Sequence, residues 1–424
     1  MIALARRGAG WIVRAEISAL TIIYGVFVIT DQVPWFAWAW LALTWGARRW
    51  LTGKFTRATA FDLPLGVLLV CLPLSFSVTI APATSLPKVF GVLLAVAFFY
   101  ATVNAIQTPR DLAWATFWLV IVCAGIALAG LIGTDWAQSK IVSASFIYDR
   151  LPRVVQGIPR SIAGGFARNG VGGALALIVP LLVALAIQNA RSPQSAIRNS
   201  VYNPILFGAT LLALATLALT QSRGGILGAA VGVLGVAIWR ERKFVWLIAA
   251  SVAALIGLIA LGSGNALLDF VLRMDAQSGT LASRLEVWQR GWLMVRDFPF
   301  TGIGIGTYNA MAHLMYPFFI AAPEEVVAHA HNQLLQVAVD LGIPGLVAYC
   351  ALLAAFALSV TRAYRAPAAA ATHALIVGVS AGMIAHHVFG LTDAFMLGTK
   401  PGIVMWIFFA FGAALDAQRT ARDA

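Results

Sequence analysis

Charge is scarce in this sequence. Of its 424 residues only 11% are Asp, Glu, Lys or Arg, while 60% are hydrophobic; a soluble domain carries roughly 25% charged residues. So little polar surface cannot cover a fold in water, which excludes an ordinary soluble protein. Cysteine is scarcer still. Cys71, Cys123 and Cys350 all fall in apolar runs, so the chain offers no disulfide framework and no thiolate metal site. Also missing are internal repeats, a Pro- or Ser-rich linker and a nucleotide-binding motif; residues 1–424 read as one domain. Gly302-Ile303-Gly304-Ile305-Gly306 has a phosphate-loop look, but it lacks the strand, turn and helix that such a loop requires.

What is present is a series of apolar runs near the length that crosses a hydrocarbon core of about 30 Å. They lie near 12–30, 34–47, 63–80, 87–105, 111–131, 168–189, 203–220, 225–239, 244–262, 333–361, 369–390 and 399–416. Backbone polar groups inside lipid must be satisfied within the segment, and unbroken apolar runs do this as helices. The expectation is an all-α, polytopic integral membrane protein of about twelve transmembrane helices, its first span uncleaved.

Basic residues orient it. With the N-terminus inside, Arg6, Arg7 and Arg14, Arg48 and Arg49, Lys54 and Arg57, Arg110, Arg191 and Arg198, Arg240, Arg242 and Lys243, Arg362 and Arg365 all fall on the cytoplasmic side. That is the positive-inside pattern, and it puts both termini in the cytoplasm. The net charge of +12 thus reflects topology and anionic headgroups, and no nucleic-acid partner is expected.

Two outer connections are long, 132–167 and 263–332, and the second joins spans nine and ten. Loops of that length usually carry structure and function. In the second, Ser283-Arg284-Leu285-Glu286 reads as a capping box opening an amphipathic helix to about Asp297, with Leu285, Trp288, Trp292 and Val295 on its apolar face. Arg284, and Arg223 in Gln221-Ser222-Arg223-Gly224, each have two readings. One is a snorkelling side chain, the other a bidentate anchor for a phosphate. Histidine can lose and gain a proton near neutral pH, as a general base requires, and His331 in His329-Ala330-His331-Asn332 is the candidate. It also reads as a capping or packed histidine, and the His-x-His pair is a poor zinc motif without a third ligand nearby. Asp393 and Lys400 fall at the next outer connection, where either could orient an ion. Arg160 and Arg168 bracket the entry of the sixth span, and His386 and His387 either line a polar cavity or satisfy each other.

Several of these segments, Gln221-Ser222-Arg223-Gly224, Ser283-Arg284 through Trp288 to Pro299 and Gly302-Ile303-Gly304, and His331-Asn332 through Leu341-Gly342-Ile343-Pro344-Gly345, together resemble the O-antigen ligase/polymerase superfamily. Arg160 to Asn169 resembles the family pattern too, and the likeness covers roughly 155–400. The layout is most similar to the O-antigen ligase branch. That resemblance implies an inverting membrane glycosyltransferase using no metal, ATP or other cofactor. Such an enzyme moves O-antigen from undecaprenyl pyrophosphate to a hydroxyl of lipid A–core at the periplasmic face of the inner membrane, completing lipopolysaccharide. By the same likeness His331 is the general base, His329 being the other candidate, and Arg223 and Arg284 hold the pyrophosphate. Arg160, Arg168, His329, Asn332, Asp393 and Lys400 are carried as substrate-binding candidates. The polymerases and protein O-oligosaccharyltransferases share the motifs and differ in acceptor. A transporter of lipid-linked glycan is a further reading of intramembrane arginines beside glycine breaks.

Overall fold

A computed structural model of the protein describes residues 2–30, 32–134, 136, 165–191, 202–258, 260, 280–320 and 326–423. Arg160, most of the 132–167 connection and the first part of the 263–332 connection lie outside these residues.

Each predicted span falls on a helix. In chain order these are α1 (Ile2–Arg14), α2 (Glu16–Thr30), α3 (Phe36–Thr52), α4 (Asp62–Ser77), α5 (Pro82–Ala105), α6 (Pro109–Gly133), α7 (Arg168–Arg191), α8 (Tyr202–Thr220), α9 (Arg223–Arg240) and α10 (Phe244–Leu258). The outer connection contributes α11 (Thr280–Asp297) and α12 (Tyr308–Met315), and α13 (Gln333–Arg365), α14 (Ala370–Phe389) and α15 (Lys400–Asp423) follow. Among the described residues no strand forms. Among the described residues eight helices, α5 to α9 and α13 to α15, are long and apolar enough to cross a bilayer, and the bent pair α1–α2 makes a ninth if it is one span. The three that complete the expected twelve are shorter: α3, α4 and α10 run 17, 16 and 15 residues.

Helix association in lipid rests on close packing rather than on apolar burial, because lipid tails are as apolar as leucine. The tightest set here is α7, α9 and α14. A Cβ on Gly225 would meet the Gly172 backbone at 2.7 Å, and one on Gly228 would meet the Ala385 carbonyl oxygen at 2.5 Å. Only glycine allows these backbones to touch. This contact brings the N-termini of α7 and α9 beside the C-terminus of α14.

The basic ends gather at the other end of the bundle. There Arg362 lies 3.7 Å from Asp416, Arg191 lies 3.9 Å from Glu241, and Gln418 donates to the Thr108 carbonyl. His329 and His331 and the cluster of Arg and Lys ends are therefore at opposite poles.

One helix is broken at the pole opposite the basic ends. Within α13, Gly342 takes φ +72°, a left-handed conformation that glycine adopts without cost, and Pro344 has no N–H to continue the ladder. The break frees three backbone groups, and each has a partner. Ile343 N–H goes to Pro299 O (2.7 Å) and Ile303 N–H goes to Val339 O (2.9 Å). Ser75 Oγ–H goes to Asp340 O (2.6 Å). Gly306 N–H adds a bond to the Asp340 carboxylate at 3.0 Å. The glycine-rich 302–306 loop is thus the polar complement of a broken helix, which accounts for it without a phosphate. Before the break, Gln333 N–H reaches Gly390 O, and after it Tyr349 OH reaches His387 Nε2. So Gln333 to Tyr349 covers only the length that His387 to Gly390 takes along α14, and the first piece of α13 lies across the bundle's outer end.

Candidate active site

That transverse piece carries His331 at its mouth. Asn332 is the N-cap, its side chain accepting from Leu335 N–H at 3.0 Å and donating to Leu391 O at 3.2 Å. Gln333 brackets Phe395 with both ends of its amide, 2.8 Å from the Phe395 N–H and 3.0 Å from its carbonyl. Gln336 accepts from Ala330 N–H at 2.6 Å. These bonds tie the start of α13 to the 390–395 turn that bears Asp393, although some sixty residues separate them in sequence. His331 itself has φ +48°, a costly region for a non-glycine residue and one found mostly at functional sites. Trp288 on α11 holds it there, donating Nε1–H to the His331 carbonyl at 3.2 Å.

The result is two imidazoles on one carboxylate. Their rings lie 4.4 Å apart. His331 Nδ1 is 3.2 Å and His329 Nε2 3.5 Å from Asp393 Oδ1, and the Ala394 amide donates to the same oxygen at 2.9 Å. Asp393 is buried, which by itself would raise its carboxyl. The His331 hydrogen bond, the two histidine charges and the Ala394 amide outweigh that and hold it below the ordinary aspartate value. Burial pushes His329 down to about 4, against the attraction of Asp393, with the His331 and Arg284 charges acting in the same direction as burial. His329 is therefore neutral at pH 7.

Tautomers follow from the neighbours. His331 N–H points to His329 Nδ1 at 3.4 Å, so that nitrogen accepts, and the His329 proton sits on Nε2 toward Asp393. His331 Nδ1 faces the carboxylate, which assigns its proton there and leaves the Nε2 lone pair for a substrate. His329, His331 and Asp393 also form a set whose ligand-type atoms lie within 4.8 Å, the set that could hold a metal ion. A metal-bound histidine normally donates its second N–H to an acceptor. The second nitrogen of His329 faces a donor instead, and the arrangement fits proton transfer more closely.

A pH dependence of stability is expected from His329. Its folded value near 4 lies below the ordinary 6.5, so between these values the unfolded chain binds the additional proton and stability falls as pH falls. Asp393, with its depressed value, continues the decline below that window. Thermal melts in detergent from pH 7 to 4 should show a falling midpoint, and His329→Gln should flatten the upper part. An unchanged slope in that variant would refute the assignment.

The other expected residues divide. Arg284 lies near enough for its charge to act on His329. Arg223 is the first residue of α9, exposed, behind the Ser222 cap that accepts from Gly225 N–H. The next residue, Gly224, is against Thr392, so Arg223 enters from the flank of the Asp393 turn. Arg168 begins α7, one turn before the Gly172 contact with Ser222. Lys400 is on another flank, its Nζ 5.7 Å from the Phe166 ring centre, and its carbonyl takes a bond from Tyr24 OH. Arg160 lies outside the described residues.

Two corrections concern α11. The helix already includes Thr280, so Ser283 is interior, and Glu286 is no capping-box partner: it is buried and accepts from Phe319 and Ile320 N–H at 2.6 and 2.8 Å. Its buried face carries Val287, Met294 and Val295, while Leu285 and Trp292 are exposed. Sequence reasoning placed Trp288 only on the apolar face of α11 and in the motif, and assigned no role to Gln333 or Gln336. Two glutamines three apart at the start of an apolar helix were the available signal, since buried polar side chains must find partners.

No curated protein matches the chain. Residues 208–350 match the family model described as O-antigen ligase, a stretch from α8 into α13 that includes Arg223, Arg284, Trp288, His329, His331 and Asn332. Over that segment, about a third of its length, the chain is similar to the O-antigen ligase family.

Proposed function

We propose that the protein is an O-antigen ligase, transferring the glycan from undecaprenyl pyrophosphate to a hydroxyl of lipid A–core at the periplasmic face of the bacterial inner membrane. The observation that carries this reading is the His331–Asp393 pair with Arg284 beside it, at the pole opposite the basic loops. In the reaction the acceptor hydroxyl attacks the anomeric carbon from the face opposite the pyrophosphate, inverting the centre. Its proton passes to His331 Nε2, and the resulting imidazolium is stabilised by Asp393. The bond from the anomeric carbon to the pyrophosphate oxygen breaks, and the lipid pyrophosphate leaves with the electron pair. Its charge is met by Arg284 and Arg223, because a good leaving group needs fixed cations more than a general acid. Arg168, Asn332, Lys400 and Arg160 serve substrate binding in this reading, and no metal or other cofactor takes part. The long connection between the ninth and tenth spans, as in the ligase branch, favours a core acceptor over a second glycan chain.

Purified protein in detergent, given undecaprenyl-pyrophosphate-linked O-antigen and lipid A–core without any ion gradient, should form glycan-capped lipid A–core, with chelator present or absent. Growth of the lipid-linked glycan instead would make it a polymerase. Transfer to a peptide hydroxyl would make it a protein oligosaccharyltransferase. Movement of the lipid-linked glycan across vesicles with no covalent product would leave only the transporter reading.

A further inference from the structure

Phe319 is an exposed aromatic residue held by an unusually complete support. Its own side chain is 81% exposed, yet the segment bearing it is fastened at every step. Tyr316 OH donates to Asp297 at 2.7 Å, Phe318 is buried against the His313 ring, and the Glu286 carboxylate accepts from the N–H groups of Phe319 and Ile320. Behind the ring stands Arg290, its guanidinium carbon 5.2 Å from the ring centre and its NH2 nitrogen 3.5 Å from Glu286. Such a brace fixes the plane of a ring whose free face is open, so little conformational entropy remains to be lost when something stacks on it.

Its place relative to the site is set by α11. Arg284 and Trp288 are one turn apart on the side of that helix toward His329 and His331, whereas Glu286 and Arg290 are one turn apart on the side toward Phe319. The ring is therefore on the far side of α11 from the base, at least a helix diameter (~10–12 Å) away. That is too far to touch the reacting sugar and near enough to touch a later unit of the same chain. A pyranose presents a face of C–H groups that packs on an aromatic ring while its hydroxyls stay in water, which suits an exposed ring on the outer pole of a glycan transferase. A lipid surface suits it less. The ion pair of Glu286 and Arg290 directly behind the ring is expensive to bring into hydrocarbon, and the Nε of Arg290 is already enclosed without a partner among the described residues.

We infer that Phe319, braced by Arg290 and Glu286, is a stacking subsite for a sugar ring of the glycan away from the reacting end. This inference rests on the glycan-transfer reading above. The sugar belongs either to the lipid-linked donor or to the core acceptor, and steady-state kinetics with each substrate varied in turn separates the two. Phe319→Ala should raise KM for one of them about tenfold, the effect of losing one well-placed stacked ring, with kcat within about twofold. Phe319→Trp and Phe319→Tyr should restore it, because stacking needs only an aromatic face, and Phe319→Leu should not. Recovery by Leu would mean an apolar contact with lipid and would overturn the proposal, as would unchanged KM for both substrates in the Ala variant. A kcat loss of Ala, Trp and Tyr alike would assign the ring to structure and overturn it as well. Binding of the free glycan, measured by titration calorimetry on the same variants, gives an arm independent of turnover. Glycan binding lost in Phe319→Ala, in a wild type that transfers nothing, would sink the transfer reading and leave the subsite standing.

Discussion

His331→Ala should lower the rate of transfer by at least about 100-fold, the low end of what a positioned general base supplies. The acceptor is a sugar hydroxyl, which is a poor nucleophile until its proton is taken, and Nε2 of His331 is the nitrogen left with a lone pair once Nδ1 is engaged by Asp393 at 3.2 Å. The loss should fall on kcat and on kcat/KM together, since the interaction is made in the transition state and hardly at all in the ground state. His329→Ala should cost less, because that ring touches Asp393 at longer range and is held neutral by burial rather than offered to substrate. The measurement is single-turnover transfer of labelled glycan to lipid A–core by each purified variant, with folding checked by thermal melting. Near-full activity in His331→Ala would move catalysis to the arginines alone. The reverse order of losses would make His329 the base.

Asp393→Asn should be nearly as damaging as His331→Ala, on the order of a 100-fold loss in kcat, smaller than the roughly 10⁴-fold loss when the carboxylate of a hydroxyl–imidazole–carboxylate triad becomes an amide. Two effects combine. The amide can present an N–H to His331 Nδ1, which favours the tautomer with the proton on Nε2, where the base must have none. It also removes the negative charge that stabilises the imidazolium during transfer. Because Asp393 acts only through His331 in this mechanism, the double variant should be no slower than His331→Ala alone. Losses that multiply would show that Asp393 touches a substrate itself, for example the acceptor. Loss in both variants with activity that also disappears on chelation would point to a metal held by His329, His331 and Asp393 instead.

Much of the fold was legible because membrane helices are written locally. A run of apolar residues of the right length must be a helix in lipid, whatever its neighbours, so each of the twelve predicted segments coincides with one. Poorly legible was which of them are long enough to cross by themselves: α3, α4 and α10 are short, and the chain bends between Arg14 and Glu16 by 45°. The break at Gly342 was visible as Gly-Ile-Pro-Gly, but not its partners, since Ser75, Pro299 and Ile303 come from two other parts of the chain.

The site shows the same division. Residue type alone singled out His331, Asp393, Arg284 and Arg223, because a histidine or an arginine at the end of a lipid-embedded helix needs a reason to be there. Residue type did not say that Asp393 belongs to His331. As a sequence feature it was an acid in a short turn, equally suited to a cation or an anion. Nor did the pattern Ser-x-x-Glu distinguish a cap from Glu286 as the buried anchor of Phe319 and Ile320, because both uses ask for a carboxylate near a helix start.

What the sequence determined by itself was therefore the class of the protein, the helical segments and the end of the bundle at which the candidate residues gather. These depend on hydrophobicity and charge summed along the chain, and such sums need no knowledge of contacts. Only the tertiary structure decided which nitrogen of His331 is free, which acid orients it and how the glycine loop closes a broken helix. Each of these is a hydrogen bond between groups tens to hundreds of residues apart, and its direction and distance exist only once the helices have packed.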